Sequence, residues 1–209
     1  SLCSAKCEVI ANGSVLDLLR RAHTFGINLA RLDIRQESSR HSKLINSICN
    51  KLKIGNYDNW SEDEKISFLS KEYLSKRPLI PQSISLDAED KETWLTFKMI
   101  AKSPRECLGA YVISMTSKVS DILAVLLLQK EAGVKKFLRI VPLFETLNDL
   151  DNAHKIIENL FKQKWDNQLF NHQQEIMIGY SDSSKDAGKF AASWAQYCSQ
   201  EKLSELAKK

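Results

Sequence analysis

Long apolar runs are missing from this 209-residue chain. The longest, such as Ile122–Leu128, are too short to span a bilayer. Proline and glycine are scarce, at four and seven residues, which excludes a collagen-like chain and argues against disorder. The N-terminal SLCSAKCEVIANG has no basic stretch followed by an apolar one, so no secretory signal is visible and a cytoplasmic location is expected. The five cysteines (Cys3, Cys7, Cys49, Cys107, Cys198) are odd in number and form no CxxC pair. They predict neither a disulfide framework nor a zinc knuckle, but reduced and mostly buried thiols. The four histidines (His23, His41, His154, His172) lack metal-ligand spacing. His23 and His154 fall in helical patterns and read as structural. A one-sided charge is also absent: the net charge is +4, with basic residues scattered among acidic ones. Neither a nucleic-acid face nor a membrane partner is expected.

What is present is ordinary for a globular protein: 43% hydrophobic and 27% charged residues. A chain of this length buries a substantial core, usually as one domain. Ser14 as N-cap, leucines 16, 18 and 19 and a stop at Gly26 predict a helix over 14–25. The imperfect alternation of Ile27, Leu29, Leu32 and Ile34 predicts a strand over 27–34. A capping box, Ser61-x-x-Glu64, opens a helix over 61–75, and another covers 89–102. Residues 110–115 read as a buried strand. A strongly apolar helix capped by Ser120 and ended by Gly133 follows. Residues 139–144 read as a strand despite Pro142, 147–163 as a helix, 175–180 as a strand and 185–208 as the last helix. Short apolar strands alternating with amphipathic helices predict an α/β fold with parallel strands, and residues 42–105 read as a helical excursion within one domain. The aromatic residues Trp94, Phe97, Phe161 and Trp194 fit helix faces and are expected in the core.

Arg35, Glu145 and Asp182 each follow an apolar strand candidate directly or nearly so. Parallel strands would gather all three at one rim. Two carboxylates there suit a hard divalent cation such as magnesium or manganese, and the planar fork of Arg35 suits a carboxylate or phosphate. Solvated loop charges give the same pattern, and spacing does not separate the two readings. The segment IMIGYSDSSKDAG (176–188) reads as a strand, a tight charged loop and a helix start. Lys185 at that start opposes the helix dipole unless an anion offsets it, although a surface pair with Asp182 or Asp186 is an equal reading. The run Arg35–His41 suits either a phosphate anchor or a solvated loop.

Residues 176–188 resemble the active-site lysine signature of the phosphoenolpyruvate carboxylase family: strand, Gly-Tyr-Ser-Asp-Ser, one variable residue, then Lys-Asp-small-Gly. LDIRQESSRH (32–41), YVISM (111–115) with SDILAVLLLQKEAG (120–133), and VPLFETLNDLDNA (141–153) are similar to further family blocks, in the same order. Val119 and Asn148 depart from the family pattern, which has proline and an acidic residue there. The resemblance implies a central part of a TIM-type α/β barrel with extra helices. It implies the joining of phosphoenolpyruvate to bicarbonate, giving oxaloacetate and phosphate, with Mg2+ or Mn2+. Glu145 and Asp182 would be metal ligands, Arg35 would bind phosphoenolpyruvate, and Lys185 would be the signature lysine. The full-length enzyme would be a homotetramer. The family's His-Pro-Thr motif and HGRGG loop do not occur in this sequence. The chain is therefore expected to be a fragment, inert alone and prone to self-association through unpaired strand edges. A catalytically dead relative that binds a metabolite or partner is the alternative, and another metal-dependent enolate enzyme a third.

Overall fold

Parallel strands cannot be joined by tight turns, so each return needs a helical crossover. That requirement organises the computed structural model, which describes residues 2–163 and 173–208; His172 lies outside them. Two helices, α1 (Glu8–Ala11) and α2 (Ser14–Phe25), precede strand β1 (Leu32–Glu37). Helices α3 (Ser38–Lys51), α4 (Glu62–Leu74) and α5 (Ala88–Lys102) lead to β2 (Leu108–Ser114). Then come α6 (Val119–Ala132), β3 (Arg139–Phe144), α7 (Leu147–Lys162), β4 (Met177–Ile178), α8 (Tyr180–Ala187) and α9 (Lys189–Leu206). The strands form one parallel sheet in the order β1-β2-β3-β4. The expected α/β class with parallel strands is present. The sheet is open, and these four strands do not close into a barrel.

The core lies between the sheet and the helices. Helix α6 is apolar all round and buried along most of its length, as a helix ringed by others must be. It packs against α3, α4, α5, α7 and β3. Gly133 ends it in the left-handed conformation, at φ +83°, which a side chain would strain. Helix α3 buries His41, Leu44, Ile45 and Ile48, and α7 buries Leu150, Ala153, Ile156, Ile157 and Leu160. Both sets recur at helical spacing. The opposite sheet face holds a smaller cluster of Ala110, Val112, Val141 and Leu143. No helix among the described residues is long and apolar enough to cross a membrane.

Several boundaries differ from the sequence reading. Residues 27–31 precede the first strand rather than forming it: Ile27 is fully exposed and Leu29 is left-handed, at φ +54°. The polar run Arg35–Glu37 belongs to the strand, because β1 is an edge with one exposed side. Ser120 does not cap α6. Its N–H and hydroxyl donate to Glu62, while Asp121 accepts from the Ser117 and Lys118 N–H groups. The fourth strand shrinks to two residues, and the last helix divides at Gly188, where φ is +79°. Phe97 is core, but Phe161 and Trp194 are exposed. Cys49 is the one fully buried thiol among the described residues. Helix α2 has no buried residue.

His41 and Tyr111 form a buried pair, with Nε2 2.7 Å from the phenol oxygen. Tyr111 also stacks on Phe97. Burial, aided by the Arg40 charge, lowers the His41 pKa to about 3. The folded chain therefore keeps this imidazole neutral while the unfolded chain protonates it below about 6.5. Stability should fall as pH drops from about 6.5 toward 3, by up to ~1.4 kcal/mol per pH unit from this group. Urea denaturation from pH 7 to 4 should show a flatter slope for His41→Gln than for the wild type. Equal slopes would remove His41 as the cause.

Candidate functional site

The four strand exits meet at one carboxylate. Glu145 directly follows β3 and is buried, at 5% exposure. Its Oε1 accepts a hydrogen bond from the Met115 N–H, at the exit of β2, at 3.2 Å. The same oxygen lies 3.5 Å from Nη2 of Arg35, on β1. From β4, the Gly179 N–H donates to the Phe144 carbonyl. A Cβ on Gly179 would come within 3.2–3.4 Å of three Glu145 carbons, so glycine permits this close approach.

Asp182 and Lys185 are carried by α8. Lys185 Nζ donates to Asp182 Oδ1 at 3.0 Å, in a pair that is half exposed and by itself worth little. Asp182 also neighbours Glu145, and each carboxyl shifts the ionisation of the other. The result is a continuous row: Arg35, Glu145, Asp182, Lys185. All four residues singled out in the sequence are brought together.

Lys185 does not oppose the helix dipole, contrary to the expectation from sequence. The segment after β4 is a helix from Tyr180 onward, not a tight loop. Lys185 stands in its last turn and Asp182 in its first. Both positions suit the dipole, so no misplacement asks for an anion. What remains unusual is the carboxylate pair. Burial, with a further push from Asp182, raises the Glu145 pKa above the ordinary range, against the Met115 N–H and Arg35. Lys185, and after it the neighbouring Glu145 carboxyl, hold Asp182 below it. The pair therefore resists carrying two charges, and a divalent cation would relieve it.

The donor set fits such an ion. Two hard carboxylates with open positions for water and substrate suit Mg2+ better than a closed site does. Among the described residues, no group of three or more His, Cys, Asp or Glu could hold a metal by itself. The rim is open, and the cavity of about 910 Å3 beside α7 and the end of α9 lies elsewhere.

Reasoning from sequence missed three supporting groups. Ser38 Oγ donates to the Met115 carbonyl at 2.8 Å. Asp186 accepts from the Leu147 N–H at 3.0 Å, tying α8 to the start of α7. Gln196 of α9 donates to the buried Ser183 hydroxyl, which in turn donates to the Gly179 carbonyl. Asp186 lay within the charged motif already noticed. Ser38 lay within the polar run Arg35–His41, though not for this contact, and Gln196 gave no signal, because glutamines on helices are common.

The family model described as phosphoenolpyruvate carboxylase matches residues 1–209. A phosphoenolpyruvate carboxylase of Photorhabdus laumondii is 50% identical over the whole chain, which covers 24% of that protein. One from Marinomonas is 52% identical, again over the whole chain and 24% of the relative. Phosphoenolpyruvate carboxylase 1 of Flaveria trinervia is 48% identical over the whole chain and 22% of its own length. The chain thus spans about a quarter of the curated relatives it matches.

The electrostatics give a direct test on this chain. Glu145 holds its proton to higher pH than an ordinary carboxyl, and a cation must displace it. Mn2+ should raise the melting temperature little at low pH and progressively more as pH rises through the carboxylate range. Glu145→Gln should abolish that shift and melt no lower than the wild type without cation, since ionising Glu145 disfavours the folded state. A pH-independent shift retained in Glu145→Gln would place the ion elsewhere.

Proposed function

The chain belongs to the phosphoenolpyruvate carboxylase family, and we propose on that premise that it forms the cation and lysine portion of that enzyme's active site. The parent protein would join phosphoenolpyruvate to bicarbonate, giving oxaloacetate and phosphate. The observation that carries the reading is the Arg35–Glu145–Asp182–Lys185 row at the sheet's C-terminal rim. Ligands of open parallel sheets and of barrels gather at that rim.

In this proposal Glu145 and Asp182 hold a divalent cation, Mg2+ or Mn2+. Arg35 binds the carboxylate or phosphate of phosphoenolpyruvate, and Lys185 supplies a second fixed positive charge. With the two carboxylates holding the cation, the charges of Arg35 and Lys185 would be available to the anionic substrate. Bicarbonate attacks the phosphoryl group, giving carboxyphosphate and an enolate; the C–O bond of carboxyphosphate then breaks, phosphate leaves, and the enolate carbon bonds to the carboxyl carbon, giving oxaloacetate. When bound, the cation acts as a Lewis acid that spreads the enolate's negative charge. Arg35 and Lys185 are placed to stabilise charge that grows in the transition state, where one such donor is typically worth about 10²–10³ in rate.

The family's His-Pro-Thr motif and Gly/Arg loop are absent from this sequence, so we expect the isolated chain to be inert. A cytoplasmic homotetramer as the working form of the parent belongs to the same proposal and rests on the family alone. The test is oxaloacetate formation by the full-length parent, with phosphoenolpyruvate, Mg2+ and bicarbonate omitted in turn. Activity should require all three. Lys185→Ala and Asp182→Ala should each lower kcat/KM by about 10²-fold or more. A folded parent that makes no product would favour a binding relative without catalysis. Product from the 209-residue chain alone would overturn the assignment of missing parts.

A further inference from the structure

Met115 is one of four non-glycine residues with positive φ among those described, with Lys6, Leu29 and Lys53. It alone of these borders the charged rim. At φ +54° the left-handed conformation is uncommon for a residue with a side chain and is maintained only where surroundings over-determine it. Here they do. The Met115 N–H donates to Glu145 Oε1. Its carbonyl accepts from Ser38 Oγ at 2.8 Å. The next N–H, of Thr116, donates to the Leu143 carbonyl at 3.3 Å, and the Thr116 hydroxyl donates back to the Ile113 carbonyl at 2.8 Å. One turn of backbone thus faces β3 with two N–H groups and α3 with its carbonyl. An extended residue at this position would not aim all three that way.

We propose that Ser38 and Met115 are positioning residues for Glu145, acting through the Met115 backbone. The proposal rests on the reading of Glu145 as a cation ligand. Ser38, at the first position of α3 and nearly buried, locks the Met115 carbonyl. The locked residue holds its N–H on Oε1 of Glu145. Arg35 approaches that same oxygen, so the other carboxylate oxygen is free of both donors. The carboxylate is thereby fixed in rotation before an ion arrives. The Met115 side chain is 44% exposed and contributes little packing. What the site takes from this residue is its backbone direction.

The experiment measures Mn2+ affinity of the full-length parent by electron paramagnetic resonance of free Mn2+, with circular dichroism to verify folding. Ser38→Ala should weaken binding about three- to tenfold, the worth of one hydrogen bond, and Ser38→Thr, which keeps the hydroxyl, should restore it. Met115→Gly, which takes the left-handed conformation freely, should bind within about twofold of wild type, whereas β-branched Met115→Val should bind at least about tenfold more weakly. If the side chain mattered instead, Gly would be the worse substitution, and the proposal would be overturned. Ser38→Ala should add no further loss to Glu145→Ala. If Glu145→Ala lowers affinity while Ser38→Ala and Met115→Val bind as wild type, the positioning role is wrong and the cation reading stands. If Glu145→Ala itself binds Mn2+ normally, the cation reading fails and takes this proposal with it.

Discussion

A buried carboxylate that is short of donors must be held by whatever surrounds it, and in this chain the surroundings are the ends of four parallel strands. Glu145 receives the Met115 N–H from β2 and the Arg35 guanidinium from β1, and Gly179 after β4 lies against its carbon chain. Parallel pairing makes this possible, because strands running the same way finish at the same edge. Antiparallel strands would have placed these exits at opposite ends. The helical layer answers the same constraint. Every crossover must lie on the sheet, and α6, with lipophilic residues on all sides, is the piece around which the other crossovers pack.

How much of this could be read from the residues differs by element. The helices over 61–75, 89–102 and 147–163 are found almost to the residue, because apolar spacing, with a capping box in the first, is a local signal. The strand over 139–144 forms despite Pro142, since β4 reaches only Leu143 and Phe144 and the ladder beside the proline is one-sided. The first strand is displaced by several residues. Ile27 and Leu29 have the composition of buried strand residues but no partner, and composition alone does not distinguish a covered side chain from an uncovered one. Helix α3 begins inside a run read as polar, because His41 is buried through its pairing with Tyr111, a contact 70 residues away in sequence.

The candidate site shows the same division. Arg35, Glu145 and Asp182 were legible because parallel strands bring their exits to one rim, a pattern solvated loops also give, and residues 176–188 carry a family pattern that includes Lys185. The geometry that joins them was not legible. The dipole argument for Lys185 failed because the helix begins five residues earlier than the charge pattern suggests. Ser38 and Met115 lay inside segments already singled out, but their link was not legible, since it depends on a backbone direction.

The two halves of the charged row stand on supports of very different rigidity. Glu145 directly follows β3, which packs on α6, a helix buried along most of its length. Asp182 and Lys185 ride on an eight-residue helix that is largely exposed and bounded by Gly179 and Gly188. So short a helix has little stability of its own and depends on its neighbours for its place. One side of the site is thus a post set in the core, and the other a short exposed arm pinned to its neighbours through Asp186 and Ser183.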